Sequence, residues 1–486
     1  MRAHSSGDRM SQTTSILVTL IVYMLALAGI GVWSAFRIKG EGDFFLAGRG
    51  LGAISAGLSY AASTSSAWVL LGFTGMVYTQ GLIALWLVPG IFAGYVLTWL
   101  VIGPRLNADA ATHSHITILD FLGQGISAQW ARRIAVMGAM MILFCFVFYM
   151  SSQIDAAGKA LINTFGLPRW GAILIGAVAI LIYCLLGGFI AASITNAVQA
   201  VVMMGACIIV PIMTVSAAGG IGEMMTNLQG AQNVAYFSLT GSAAGMAGAG
   251  LALGLLGTGL GALGQPQLLN WIMAVRDPKM RKQGAAITIG WGVIVYTGLI
   301  LMAMAARSMA IETPKEELFF TLAQKFLPTV LAGIVIAAVL SAVMSTVDSL
   351  LLSDAAAVSH DMGGKAVPAE RAVLYGRVAM VAVAVIAVLL TLYAPQDIFK
   401  RVLFSWVALG AAFGPSILTK CLGWKISGGV IFAAILAGFF TAVIAYNAAQ
   451  LAPAEMKPAL GVIEKWGSWA IGLFILMAGR LKREKA

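Results

Sequence analysis

Ser59, Ser63, Thr64, Ser65 and Ser66 crowd the middle of an otherwise apolar stretch running from Ala53 to Trp68. Oxygen atoms at that density can replace the water shell of a small hard cation without a buried carboxylate, provided the helix opens there and frees its carbonyls. Close packing between helices draws on the same small residues and is the competing reading. Far along the chain, Ser341, Ser345, Asp348 and Leu352 share one helical face, with Thr346, Ser349 and Ser353 beside it. Those hydroxyls either reach across to a ligand or bond back to their own helix. Between the two groups come Gly241, Gly245, Gly248, Gly250, Gly254, Gly257, Gly259, Gly261 and Gly264, followed by Gln265 and Pro266. Each glycine costs a helix about 1 kcal/mol relative to alanine, so a straight helix is not expected there.

A carboxylate inside an apolar span costs about 2.5–3.5 kcal/mol at the helix centre, so each one needs a reason. Asp155 stands four residues before Lys159, the spacing of a helical ion pair. Asp348 follows Ser345 and Thr346 within one turn and either anchors them or carries a proton. Asp354 lies nearer the inner end of the same span and is expected to cap or pair with the adjoining loop. His4, His113, His115 and His360 fall in loops, so no intramembrane histidine relay is expected. Cys145, Cys184, Cys207 and Cys421 show no metal-ligand spacing and read as small core residues. No nucleophile elbow, zinc-binding HExxH or phosphate-cradling loop with lysine occurs. The sequence therefore gives no sign of an enzyme, a cofactor or a nucleotide-driven pump.

The elements that must position these residues follow from composition. Of 486 residues, 60% are hydrophobic and only 10% charged, against about 25% charged in soluble chains. Mean hydropathy is +0.92, and the apolar residues come in blocks long enough to cross a bilayer. The fold class is an all-α polytopic membrane protein of about thirteen helices. Their expected spans are 13–36, 51–77, 81–106, 132–160, 169–189, 192–217, 242–274, 283–309, 327–358, 372–394, 398–420, 427–449 and 466–480. The first is too long for a signal-peptide core and is kept as a span. Thirty Lys and Arg against nineteen Asp and Glu give a net charge of +11. The basic residues sit between the apolar blocks, which points to anionic lipid at the cytoplasmic face and not to nucleic acid. The larger share falls inside if the N-terminus is outside and the C-terminus cytoplasmic. With no basic side chain in the membrane interior, strongly acidic solutes are disfavoured.

The interrupted second and seventh spans lie five helices apart, and an odd repeat length inverts the second copy. The single domain 1–486 then divides into a peripheral first helix and loop (13–50), a first repeat (51–217), an inverted second repeat (242–420) and peripheral C-terminal helices (427–486). Broken first helices meeting at mid-membrane are the mark of a secondary transporter.

Several collinear segments carry a resemblance: Phe45-Leu-Ala-Gly-Arg-Gly-Leu-Gly52, Tyr149 with Asn163-Thr-Phe-Gly166, Gly187-Gly-Phe189 with Val198-Gln-Ala200, Gly264-Gln-Pro266, Ala342-Val-Met-Ser-Thr346 with Asp348 and Ser349, and Gly410-Ala-Ala-Phe-Gly-Pro415. From about residue 16 to 425 the chain resembles the sodium:solute symporter family, most of all its bacterial sodium/proline branch. The resemblance implies a five-plus-five inverted core, residence in a bacterial-type inner (plasma) membrane, and Na+ as coupling ion. It places Na+ on the backbone carbonyls of Ala62, Ser65 and Ala342 and the hydroxyls of Ser345 and Thr346. It places the solute against Ser66, Ala67, Trp68, Tyr149, Thr258 and Ala262, although Trp68 and Tyr149 could equally fill space between helices. Asp348, Asn196 and Ser349 would stand behind the ion or move a proton.

Two departures qualify this expectation. The proline branch has Asp where this chain has Thr64 and Asn196, so two negative charges are missing from the coupling region. It also reads Gly-Trp-Gly-Leu-Gly-Tyr where this chain has Gly257-Thr-Gly-Leu-Gly-Ala262, which widens the pocket and removes walls suited to a pyrrolidine ring. The expected function is cation-coupled uptake, by sodium, of a small organic solute such as an amino acid. Proton-coupled symport of an amino acid or monocarboxylate is the alternative, and a solute sensor or a channel on the same fold is the reading from another class. Expected partners are the solute, Na+ and membrane lipid, with no obligate protein partner.

Overall fold

A computed structural model describes residues 6–36, 41–231, 234–243, 245–364, 368–393 and 397–484. Among the described residues there is no strand, only a single parallel bridge between Leu51 and Val275. The first helix, α1 (Ser6–Ala35), is followed by α2 (Ala53–Thr64), which stops at Ser65. The chain resumes in a wide turn over Trp68–Phe73 and continues as α3 (Thr74–Gln80). Next come α4 (Leu87–Val96), α5 (Gly103–His113), α6 (Ala128–Phe165) and α7 (Arg169–Ala217). The glycine-rich stretch gives α8 (Gly245–Leu256), a tighter 3₁₀ segment over Gly257–Gly264, and α9 (Pro266–Met273). The remainder is α10 (Pro278–Ser308), α11 (Thr329–Ala356), α12 (Ala369–Tyr393), α13 (Ile398–Cys421), α14 (Gly428–Leu451) and α15 (Ser468–Glu484).

Among the described residues, eleven helical stretches are long and apolar enough to cross a membrane. The sequence leads to thirteen because two spans escape a length criterion. The second is cut at Ser65, and its far half runs into the third as one stretch, Trp68–His113; the fifth survives only as the short Arg169–Ile182. Gly188 separates that short span from the next, with φ 57° and ψ −165°, a conformation only glycine adopts readily.

Spans α11 and α13 are the most enclosed, with 78% and 89% of their apolar stretches buried, against 17% for α1. The core therefore sits around α11 and α13, and α1 presents its apolar surface outward. The glycine run also has a packing reason: a Cβ on Gly259 would lie 1.7 Å from the carbonyl oxygen of Gly90. Backbone meets backbone there, which no larger residue allows. At the end of the bundle where α5 finishes, Leu51 donates to the Ala274 carbonyl (3.1 Å) and Arg276 donates back to Leu51 (3.0 Å), tying the start of α2 to the end of α9.

Candidate functional site

The hydroxyl run does open its helix. Ser65 closes α2 with φ −98° and ψ 61°, and its N–H makes the last helical bond, to Ala61 (3.0 Å). Past the break, the Ala67 N–H turns away from the helix to the side-chain oxygen of Gln153 on α6 (3.2 Å). Trp68 Nε1 donates to the Thr64 carbonyl (3.1 Å), and Tyr149 OH donates to Ser66 Oγ (3.4 Å). All of these side chains are buried.

Facing this break, α11 brings Ser345 and Thr346. Ser345 Oγ lies 3.3 Å from the Ala62 carbonyl and 3.1 Å from that of Ala342; Thr346 Oγ1 lies 3.4 Å from the Ser63 carbonyl and 3.0 Å from that of Ala342. Each hydroxyl thus bonds back to its own helix and reaches across to α2. Two hydroxyl protons are shared among three carbonyls, so the junction has more oxygens than protons. Oxygens spaced this way fit the shell of a cation whose metal–oxygen distance is about 2.3–2.6 Å, the value for a Ca²⁺-sized ion. Ala62, Ala342, Ser345 and Thr346 from the expected ion set are therefore brought together. The Ser63 carbonyl joins these four, and the remaining expected ligand, the Ser65 carbonyl, stands at the break itself, where α2 ends.

A second layer holds the junction. Ser63 Oγ meets Ser349 Oγ at 2.8 Å and accepts from Trp271 Nε1 at 3.2 Å, and Trp271 packs on Phe189 with ring centroids 4.1 Å apart. Asn196 Nδ2 lies 3.4 Å from both the Ser345 carbonyl and Ser349 Oγ. Asn196 and Ser349 thus sit against Ser345 on the far side of the junction, while Asp348, also buried, lies on the side of α11 facing Cys184 of α7.

Of the residues expected against the solute, Ser66, Ala67, Trp68 and Tyr149 are grouped directly at the break. Thr258 and Ala262 lie buried on the 3₁₀ segment and connect to that group through α13. Phe399 packs on Trp68 (centroids 6.0 Å), and Trp406 Nε1 donates to the Thr258 carbonyl at 2.8 Å. The Thr258 hydroxyl has no hydrogen-bond partner among the described residues. Gln153 and Trp271 were not singled out by sequence, and Ser63 only as one of the hydroxyl run; the nearest signal for Trp271 was its place in the run after Gly264-Gln-Pro266.

Charges gather at the two ends. At the end where α6 finishes, Asp155 pairs with Lys159 (3.4 Å), as its spacing predicts, and also with Arg169 and Arg401 (both 3.8 Å). Glu316 takes Lys159 at 2.5 Å and accepts the Ile398 N–H at 3.1 Å. At the opposite end, Asp120, His360 and Asp361 place ligand atoms within 4.8 Å of one another, a possible metal triad. Each already has a structural task. Asp120 accepts the N–H groups of Ile116 (2.9 Å) and Thr117 (3.2 Å) and meets His360 Nε2 at 2.9 Å; Asp361 accepts from Thr117 Oγ1 at 2.7 Å. His360 is not in a loop, because a wide helical turn, Ala357–Met362, prolongs α11, and His113 is not in one either, being the last residue of α5; His4 lies outside the described residues. The same prolongation corrects the expectation for Asp354. The helix carries on beyond it, and its carboxylate is fully buried with neither oxygen partnered among the described residues.

The chain is similar to known proteins in sequence and in fold. A model of the sodium:solute symporter family matches residues 44–445. The osmoregulated proline transporter OpuE of Bacillus subtilis is 31% identical over 441 residues, covering 88% of each chain. A sodium/proline symporter of Escherichia coli is 28% identical over 483 residues, covering 96% of this chain and 94% of its own. Among solved structures, a Na+-coupled sialic acid symporter in an outward-open state superposes with TM-score 0.77 at 15% identity, over 96% of this chain and 98% of that one. The nucleobase-cation-symport transporter Mhp1 gives 0.56 at 14% identity, over 90% and 95%. At such identities the structural likeness speaks for the fold alone.

Proposed function

The chain belongs to the sodium:solute symporter family, and from that premise we propose that it carries a small organic solute of amino-acid type inward with sodium by alternating access. It is a multi-pass membrane transporter coupled to sodium and not an enzyme. The observation that carries the site assignment is the acceptor-rich junction between the opened α2 and α11. Sodium would rest on the carbonyls of Ala62, Ser65 and Ala342 and the hydroxyls of Ser345 and Thr346, steadied by Asn196 and Ser349 behind them. The solute would lie beside it, against Ser66, Ala67, Trp68 and Tyr149, with Thr258 and Ala262 opposite.

Neutral ligands suit an ion that must leave as well as enter, because they compensate dehydration without trapping the charge. Thr64 and Asn196 keep the site uncharged, which favours loose, readily reversible ion binding. The small side chains at Thr258 and Ala262 favour a solute other than proline itself, while the relatives named above support the amino-acid class. The repeats 51–217 and 242–420 would rock against each other, with the Asp155 end outside and the His360 end in the cytoplasm. One sodium ion crossing 100 mV supplies about 2.3 kcal/mol, enough for roughly fifty-fold accumulation at one-to-one coupling.

The test is uptake into proteoliposomes of a panel of labelled amino acids and short carboxylates, with sodium replaced by choline at two pH values. Sodium-dependent, saturable uptake is expected. Sodium-independent uptake driven by a pH gradient would instead assign coupling to a proton, with Asp348 as its carrier; rapid, non-saturating flux would indicate a channel.

A further inference from the structure

Where α5 and α13 finish and α14 begins, their ends leave a cavity of about 360 Å³ that neither the ion nor the solute reading uses. Arg105, Asp109 and His113 line it from α5, Ser416 and Lys420 from α13, and Lys425 from the link to α14. Its volume is that of a small-molecule site, which runs from about 300 to 1,000 Å³. Ser416 Oγ borders the cavity, is 2% exposed, and has no hydrogen-bond partner among the described residues. A buried hydroxyl beside open space and without a partner is a place for a ligand oxygen. Positive charge outweighs negative in this wall. Lys420 spends its ammonium on the carbonyls of Phe121, Leu122 (3.2 Å) and Gln124 (2.7 Å), so it lends charge but no spare N–H. His113 Nδ1 lies 3.2 Å from the Asp109 carbonyl. Asp109, the one acid in the wall among the described residues, meets Arg105 at Nε (3.5 Å), leaving the other N–H groups of that guanidinium for a further acceptor. Lys425 is exposed, with neither ion pair nor hydrogen bond among the described residues.

The cavity lies at the depth of lipid headgroups. The apolar stretches Trp68–His113 and Ile398–Cys421 end at it, and Gly428–Leu451 begins beside it. Two tryptophans mark the same level. Trp424 lines the cavity with Arg480 Cζ 4.8 Å from its ring centroid, and Trp130 carries Arg133 at 4.7 Å and packs on Phe432 of α14 (centroids 5.7 Å). Tryptophan is enriched where membrane meets water, and basic residues gather just beyond it. Ile126, Ile426 and Ile431 complete the wall with apolar surface. Basic groups, a spare hydroxyl and an apolar wall at this depth match an amphiphile with a negatively charged head. We propose that this pocket binds the phosphate of an acidic phospholipid, with Arg105 and Lys425 as its counter-charges and the Ser416 hydroxyl as a donor. A free phosphate ion shares the head chemistry but makes no use of the isoleucines. The proposal is independent of the solute and ion carried and requires only that the chain sits in a membrane.

Native mass spectrometry of the purified full chain in detergent tests this, by titration with phosphatidylglycerol, phosphatidylethanolamine or phosphatidylcholine of identical acyl chains. Phosphatidylglycerol should bind at least about tenfold more tightly than either zwitterionic lipid, because two basic residues at the membrane surface favour an anionic head by that factor or more. Arg105→Gln with Lys425→Gln should erase the preference. Lys325→Gln with Lys457→Gln, which removes the same charge from exposed residues at the opposite end of the bundle, should keep it. Both double variants should melt with the wild type in lipid-free detergent, which shows that they fold. Equal binding of the three lipids by the wild type overturns the proposal, as does a preference that survives the Arg105, Lys425 variant or vanishes equally in the control. Displacement of the bound lipid by millimolar inorganic phosphate would reassign the pocket to a soluble anion and overturn the lipid as its occupant.

Discussion

The side-chain oxygen of Gln153 accepts the backbone N–H of Ala67 at 3.2 Å, so α6 props open the backbone of α2 at its break. Gln153 is fully buried, and Gln153→Leu would keep most of the volume while leaving that N–H unpaired, a cost of about 1–3 kcal/mol. Because Ala67 belongs to the proposed solute site, the expected result is a solute KM raised about tenfold at saturating sodium, with the sodium half-saturation little changed. Uptake kinetics at fixed sodium read this directly, and an unaltered KM would refute it.

Removing both hydroxyls at Ser345 and Thr346 takes away two of the proposed ion ligands and their cross-helix bonds to α2. The Ser345→Ala, Thr346→Ala double variant should need several-fold to tenfold more sodium for half-maximal uptake, a loss of about 1.4 kcal/mol or less. A sodium titration identical to wild type would reject this as the ion site.

Asp155 is the only carboxylate shared by Lys159, Arg169 and Arg401 among the described ion pairs. Taking one partner out of a buried cluster costs about 3–5 kcal/mol because the charges left behind stay unpaired. Asp155→Ala should therefore lower the unfolding temperature in detergent markedly, while Arg105→Ala, which breaks an exposed pair with Asp109, should scarcely move it. Equal effects would contradict the network's role.

Asp120 gives a pH dependence whose sign can be stated. Burial pushes its carboxyl up, but the hydrogen bond and charge of His360 and the N–H groups of Ile116 and Thr117 outweigh that and leave it below the usual carboxylate value. A group held lower in the folded state contributes stability above its unfolded value, about 3.9, and loses it as the pH falls through the lower folded value. The Asp120 contribution should thus appear as a decline of melting temperature in acid, below about pH 4, and Asp120→Asn should flatten that decline. A parallel decline in the variant would remove Asp120 as its source.

Much of this was legible in the sequence, for identifiable reasons. Hydropathy blocks report spans because the lipid dictates their length, and the hydroxyl and glycine runs report interruptions because helices tolerate neither at that density. The Asp155–Lys159 pair was legible because both residues lie on one helix. What escaped was tertiary. Gln153 is 86 positions from Ala67, and Trp271 is 208 from Ser63, so no local pattern links them. Asp354 was misjudged because helix prolongation, which depends on packing at Ala357–Met362, is invisible to hydropathy.

Because α13 holds Trp68 through Phe399 and the Thr258 carbonyl through Trp406, it acts as a crossbar between the two halves of the passage. On the proposed transport reading, a tilt of that one rod would loosen one wall as it presses on the other, gearing the route's two mouths to each other.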